Sequence, residues 1–365
     1  MIATTTKKFA TIAVAGIAMT AAVAAPHIAE AAPRQLVVVV AEGLSPQLMD
    51  MSALHVRYIE EQVTGEPGTP ALGQLRLQGK SQAAAADSLN SLRGLLKVAA
   101  QNGYKTGFVT TGNVADGAAL LYDIPGDANT VASTLIKSTT FNFVAGGGRS
   151  HFVPSTIPGS ARSDDFDASK ALREAGGTPI LNAEALEDTE QEIKGKALIL
   201  QADNALSYSI DQDPSREGGF GEIATLAAQT LAGDNNAPYV LVVHDTLISK
   251  AIASKDTPAM LEQARALDGI VGDLMTAREA LDDPNSMGLA LLATGGDTTP
   301  KFTSELASDR TNAIFIVSQL GLSFTGAGAA LKDVTDEQLT EFASEQYKGW
   351  KLSEETRAGL LNRSL

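Results

Sequence analysis

The chain has 365 residues, 44% of them hydrophobic and none of them cysteine, which suits one large domain with a substantial core and excludes disulfides. A formal net charge of −15 argues against nucleic acid or an anionic membrane surface as partner, since both would be repelled. With 4 histidines in all, a His-rich two-metal centre is hard to assemble, because such a site needs many ligands at once.

Lys7 and Lys8 precede an apolar run from Phe9 to Ala25, and Ala29-Glu30-Ala31 follows as a small-x-small cleavage site. This is the layout of a secretory signal peptide. Residues 1–31 are therefore set apart from a single domain over 32–365, and the location expected is periplasmic or secreted. No later stretch is long and apolar enough to span a bilayer.

The domain opens with Leu36-Val37-Val38-Val39-Val40, a run with no polar face, as expected of a parallel strand covered on both sides. Its loop carries Glu42, placed where open α/β sheets hold their ligands, beyond the carboxyl end of a strand. Helical spacing follows over 46–63 and again over 88–102, where Asn102-Gly103 marks a stop. Strands are expected at 105–110, 141–145, 178–181, 197–201, 239–243, 288–293 and 313–317. Helices are expected at 167–175, 221–232, 258–281, 337–348 and 353–362. This alternation predicts an α/β fold with a doubly wound, mostly parallel central sheet and helices on both faces. Gly146-Gly147-Gly148-Arg149 follows a strand, but no helix opens after it. A tight structural turn is the expected reading, with a backbone phosphate cradle as the alternative.

Three segments carry a family resemblance. FVAGGGRSHFVP (143–154) resembles the Gly-Gly-Gly-Arg-x-x-Phe-x-Pro signature of the periplasmic alkaline phosphatases. The stretch 197–231, with Tyr208-Ser209-Ile210-Asp211, resembles their Tyr-x-Ile-Asp turn leading to a Glu-bearing helix, and GYKTGFVTT (103–111) follows its helix as theirs does. The resemblance implies a metal-dependent phosphomonoesterase fold: a hydroxyl nucleophile, two zinc ions, a magnesium ion nearby and a homodimer.

Residue by residue, the resemblance shows depletion. The family's first Asp becomes Glu42, and its nucleophile motif falls on Gly68-Thr69-Pro70-Ala71, leaving Thr69 as a weak nucleophile candidate. Asp87-Ser88 is read as a helix cap. Asp116 survives on the magnesium side, but its Thr partner becomes Ala118. The pattern Val-Glu-x-x-x-Ile-Asp-x-x-x-His aligns without gaps from Val243, so that His244, Ser249 and Ala253 replace Glu, Asp and His. Lys250 adds a cation expected to pair with Glu42 or to fill a metal's place. The Ala-Asp-His-Glu stretch becomes Ala293-Thr294-Gly295-Gly296, and the last His becomes Arg310.

The reading that follows is an exported alkaline-phosphatase-like protein that has lost metal-dependent hydrolysis and serves as a binding or scaffold module. No cofactor is expected, and phosphate or a small anion is the expected ligand, held by Lys250 and Arg310. The alternative is a divergent phosphomonoesterase holding zinc and magnesium through Glu42, Asp116 and His244.

Overall fold

The computed structural model describes residues 34–74, 82–181, 193–213, 219–294 and 323. The signal segment, Arg310, the strand expected at 313–317 and the two helices expected after it lie outside the described residues.

Seven parallel strands form one sheet. They are β1 (Gln35–Glu42), β2 (Lys105–Asn113), β3 (Phe143–Gly147), β4 (Thr178–Ile180), β5 (Ala197–Ala202), β6 (Tyr239–Asp245) and β7 (Met287–Thr294), in the order β4-β5-β3-β2-β6-β1-β7. The valine run of β1 lies between β6 and β7, and Val37 to Val40 are at most 1% exposed. That position explains the absence of a polar face, because a strand flanked and covered on all sides gains only from apolar side chains.

Alternation along β1 sends Val37, Val39 and Ala41 into one core and Val38 and Val40 into the other. The first core is covered by α1 (Pro46–Thr64), α6 (Phe220–Ala232), α7 (Leu247–Ala253) and α8 (Thr257–Glu279). The second is covered by α2 (Gln82–Gln101), α3 (Val114–Leu121), α4 (Ala128–Lys137) and α5 (Ala168–Glu174). The doubly wound fold expected from the alternation is the one observed.

Helix ends follow local chemistry. Ser45 caps α1 by accepting the Leu48 N–H at 3.1 Å, Pro46 fills the first turn where its missing N–H costs nothing, and Gly65 closes the helix in the left-handed region. Short helices α3, α4 and α7 were not anticipated. The strand expected to stop at residue 110 continues to Asn113 and runs directly into α3.

The glycine triplet is a packing device. A Cβ on Gly146 would lie 2.4 Å from Thr110 O, one on Gly147 1.8 Å from Asn204 O, and one on Gly148 2.2 Å from Asn113 Oδ1. A 3-10 turn at Arg149–His151 follows, and Arg149 is paired with Asp203 at 2.6 Å. The turn reading holds. The phosphate-cradle alternative lacks its helix.

Candidate functional site

The carboxyl ends of β1, β2 and β6 and the start of α3 enclose a cleft of about 480 Å³, lined by Glu42, Thr110, Asn113, Asp116, Asn204 and His244 among others. Its floor follows from register. His244 lies opposite Val40 on β1 and Thr110 on β2. Glu42, two residues past Val40, shares its face by strand alternation. Glu42 Oε1 and His244 Nε2 therefore meet at 2.8 Å.

The loop after β6 completes the floor. Asp245, fully buried, accepts the N–H groups of Leu247 and Ile248 at 3.0 and 3.1 Å and the Gln263 side-chain amide at 2.7 Å. Burial pushes its carboxyl up to about 6 despite these donors. Helix α7 then turns Ser249 back toward the sheet. Its hydroxyl lies 2.9 Å from Thr246 O and 3.4 Å from Glu42 Oε2. Gly43 permits this approach: its φ is +89°, and a Cβ there would sit 3.0 Å from the Ser249 backbone. Burial alone would raise the Glu42 carboxyl, but the hydrogen bond and charge of His244 and the Ser249 hydroxyl outweigh it, so the group sits below its ordinary value. Glu42 is thus a carboxylate with Oε1 held by His244, while the Ser249 hydroxyl, whose shorter bond goes to Thr246 O, stands beside Oε2.

The candidates from sequence separate. Glu42, Asp116 and His244 share the cleft, Asp116 standing exposed in the first turn of α3. Thr69 does not reach it. It is exposed in the loop after α1, and the neighbouring N–H groups of Ala71 and Leu72 are fastened to Asp268 of α8 at 2.9 and 2.8 Å. Thr69, the weak nucleophile candidate, is therefore a turn residue and not placed for that role. Lys250 does not pair with Glu42. One residue beyond Ser249 it is turned about 100° around the helix, and its ammonium lies 5.7 Å from the centroid of the Tyr208 ring. Thr110, Asn113, Asn204 and Thr246, all in the cleft wall, were missed. Only the position of Thr110 and Asn113 at a strand's carboxyl end could have flagged them.

Among the described residues the donors do not make up a two-zinc set. Glu42 and His244 offer one carboxylate and one imidazole, while the partner positions hold Ser249 and Ala253. Among the described residues no three His, Asp or Glu side chains are grouped to hold an ion.

An open, doubly wound parallel sheet with a cleft at its carboxyl edge defines the class of ligand-binding α/β proteins. Within it, the solved structures that resemble this chain include the alkaline phosphatase of Thermus thermophilus (TM-score 0.62, 16% identity, covering 88% of this chain and 76% of that one). They also include the cold-active alkaline phosphatase of a psychrophilic Shewanella (TM-score 0.63, 16% identity, 90% and 83%). In sequence the chain is 27% identical over 191 residues to an alkaline phosphatase of Schizosaccharomyces pombe, covering 48% of this chain and 36% of that protein. The chain thus matches about a third of the length of that curated relative. No protein-family model matches. The chain is alkaline-phosphatase-like in fold, and in sequence it is similar to the Schizosaccharomyces pombe enzyme over part of its length.

Proposed function

We propose that this is an exported alkaline-phosphatase-like binding or scaffold module that has lost metal-dependent phosphomonoester hydrolysis. The observation that carries the reading is the commitment of Glu42 Oε1 to His244 at 2.8 Å. Phosphoryl transfer depends on cations that neutralise a dianionic group, and here one oxygen of the floor carboxylate is already held by a protein donor. Export rests on the basic and apolar leader at residues 7–31. Among the described residues no helix is long and apolar enough to cross a membrane. The homodimer is supported by the resemblance alone. A small anion would have to be met around Lys250 and Arg310, since the described lining of the cleft contains neither Lys nor Arg.

The second reading, a divergent phosphomonoesterase with zinc and magnesium on Glu42, Asp116 and His244, is favoured by one observation, the presence of all three around one cleft. Metal content by mass spectrometry on chelator-free protein, together with aryl phosphate hydrolysis at alkaline pH with added zinc and magnesium, separates the two. The expected result is no stoichiometric metal and no turnover. Stoichiometric zinc with turnover abolished by Glu42→Ala would establish the second reading.

A further inference from the structure

Ser52 and His55 stand one turn apart on the face of α1 that meets α8, 0% and 1% exposed. Among the described residues neither the Ser52 hydroxyl nor either ring nitrogen of His55 has a hydrogen-bond partner, and all three atoms are sealed from solvent. Buried polar groups without partners are rare and costly. Glu262 Oε2 of α8 lies 3.7 Å from His55 Nε2, too far for a hydrogen bond, while Oε1 of the same carboxylate accepts from Nε and Nη2 of Arg265.

The charges that face the ring come from α8. Glu262 favours a bound proton and Arg265 opposes it, the Leu261 backbone sides with Glu262, and on α1 itself Glu60 reaches Arg265. The 3-10 turn Leu72–Gln74, which also packs on α1, brings no titratable group. Burial outweighs these influences and holds the ring below its ordinary value of 6.5. The stretch that carries His55 is lightly held. From His55 to Pro70 only His55, Val56 and Gly68 are buried, and residues 60–67 are all exposed. Its two ends are fixed, because Leu48 and Met51 lie in the first core and Ala71 and Leu72 are bonded to Asp268. A stretch with few buried apolar contacts opens at lower cost than the whole fold.

We infer that residues 55–70 form an acid-released strap: when His55 takes up a proton, this stretch detaches from α8 while Leu48, Met51 and the Asp268 bonds keep its ends in place. In the open form the ring is hydrated and binds a proton with its ordinary affinity, whereas in the closed form it resists one. Acid therefore favours opening as pH falls through 6.5, until the closed ring also protonates. Opening uncovers Val56 and the partly buried Tyr58.

The test is hydrogen exchange on the full chain, read by mass spectrometry with exchange times scaled for the intrinsic effect of pH, comparing peptides from 55–64 with peptides from α4. Between about pH 7.5 and about pH 5.5, protection at 55–64 should fall by up to about tenfold, the ratio expected when the open ring titrates normally and the closed ring stays neutral. Protection of α4 should not change. His55→Leu should abolish the difference. Glu262→Gln, which removes the charge that favours the proton, should carry the loss to lower pH, and it decides the matter if His55→Leu does not fold. Equal loss in both helices, no loss at 55–64, a loss that persists in His55→Leu, or a Glu262→Gln profile like that of the natural chain overturns the inference.

Discussion

Asp268 and Leu72 are 196 residues apart in sequence, yet the carboxylate of the first accepts the backbone N–H of the second at 2.8 Å and that of Ala71 at 2.9 Å. This ties the loop after α1 to the middle of α8. Asp268 is buried, so Asp268→Ala leaves two buried N–H groups unmatched and should cost about 2–4 kcal/mol, readable as a lowered denaturation midpoint at unchanged slope. Asp268→Asn, which keeps an acceptor, should cost less.

Asp245 belongs to a chain of bonds in which Gln263 donates to Asp245 Oδ2 at 2.7 Å while its carbonyl accepts the Ser209 N–H at 3.1 Å. Asp245→Asn would set one NH₂ against another unless Gln263 turned over, and turning over would strand Ser209. A loss of about 1–3 kcal/mol is expected. The double change with Gln263→Glu should recover part of it, which a double-mutant cycle on denaturation midpoints would show.

His55 is buried on α1 with neither ring nitrogen hydrogen-bonded, and Glu262 of α8 lies 3.7 Å away. Burial lowers its affinity for a proton below the ordinary value of 6.5, although the Glu262 charge opposes this. As pH falls through 6.5 the unfolded chain takes up a proton that the folded chain resists, so stability falls until the folded ring also protonates. Thermal melts at descending pH should show this loss in the natural chain and a reduced loss in His55→Leu.

Gly147→Ala places a Cβ 1.8 Å from the Asn204 carbonyl. Backbone on both sides leaves nothing flexible to yield, so destabilisation of about 3 kcal/mol or more is expected. Gly94→Ala is the contrast. Among the described residues nothing beyond the helix's own backbone lies within 4 Å of a Cβ there, and because the position is inside α2 the change should stabilise by about 1 kcal/mol. Melting temperatures of the two variants should move in opposite directions.

The architecture was legible because runs such as 36–40 and 239–243 are apolar without alternation, which only a sandwiched parallel strand tolerates. Helix α3 was hidden because Gly112, Asn113 and Gly117 read as loop chemistry, although Asn113 is its cap. The gap-free alignment from Val243 put His244 and Ser249 at ligand positions of the family, and a separate match at the first strand did the same for Glu42. Neither could show that a hydrogen bond joins them, since that depends on strand register. Lys250 was misjudged for a related reason: one step along α7 decides between the sheet edge and the Tyr208 ring. Thr69 was placed by counting back through the sequence, and counting is blind to the Asp268 clasp that holds its loop elsewhere.

The glycines at 146–148 let the end of β3 lie closely against Thr110 and Asn113 of β2 and against the backbone at Asn204. A side chain added at any of the three would wedge these elements apart, so the character of the cleft can change only at positions such as 113, 116 and 204, with the frame held constant.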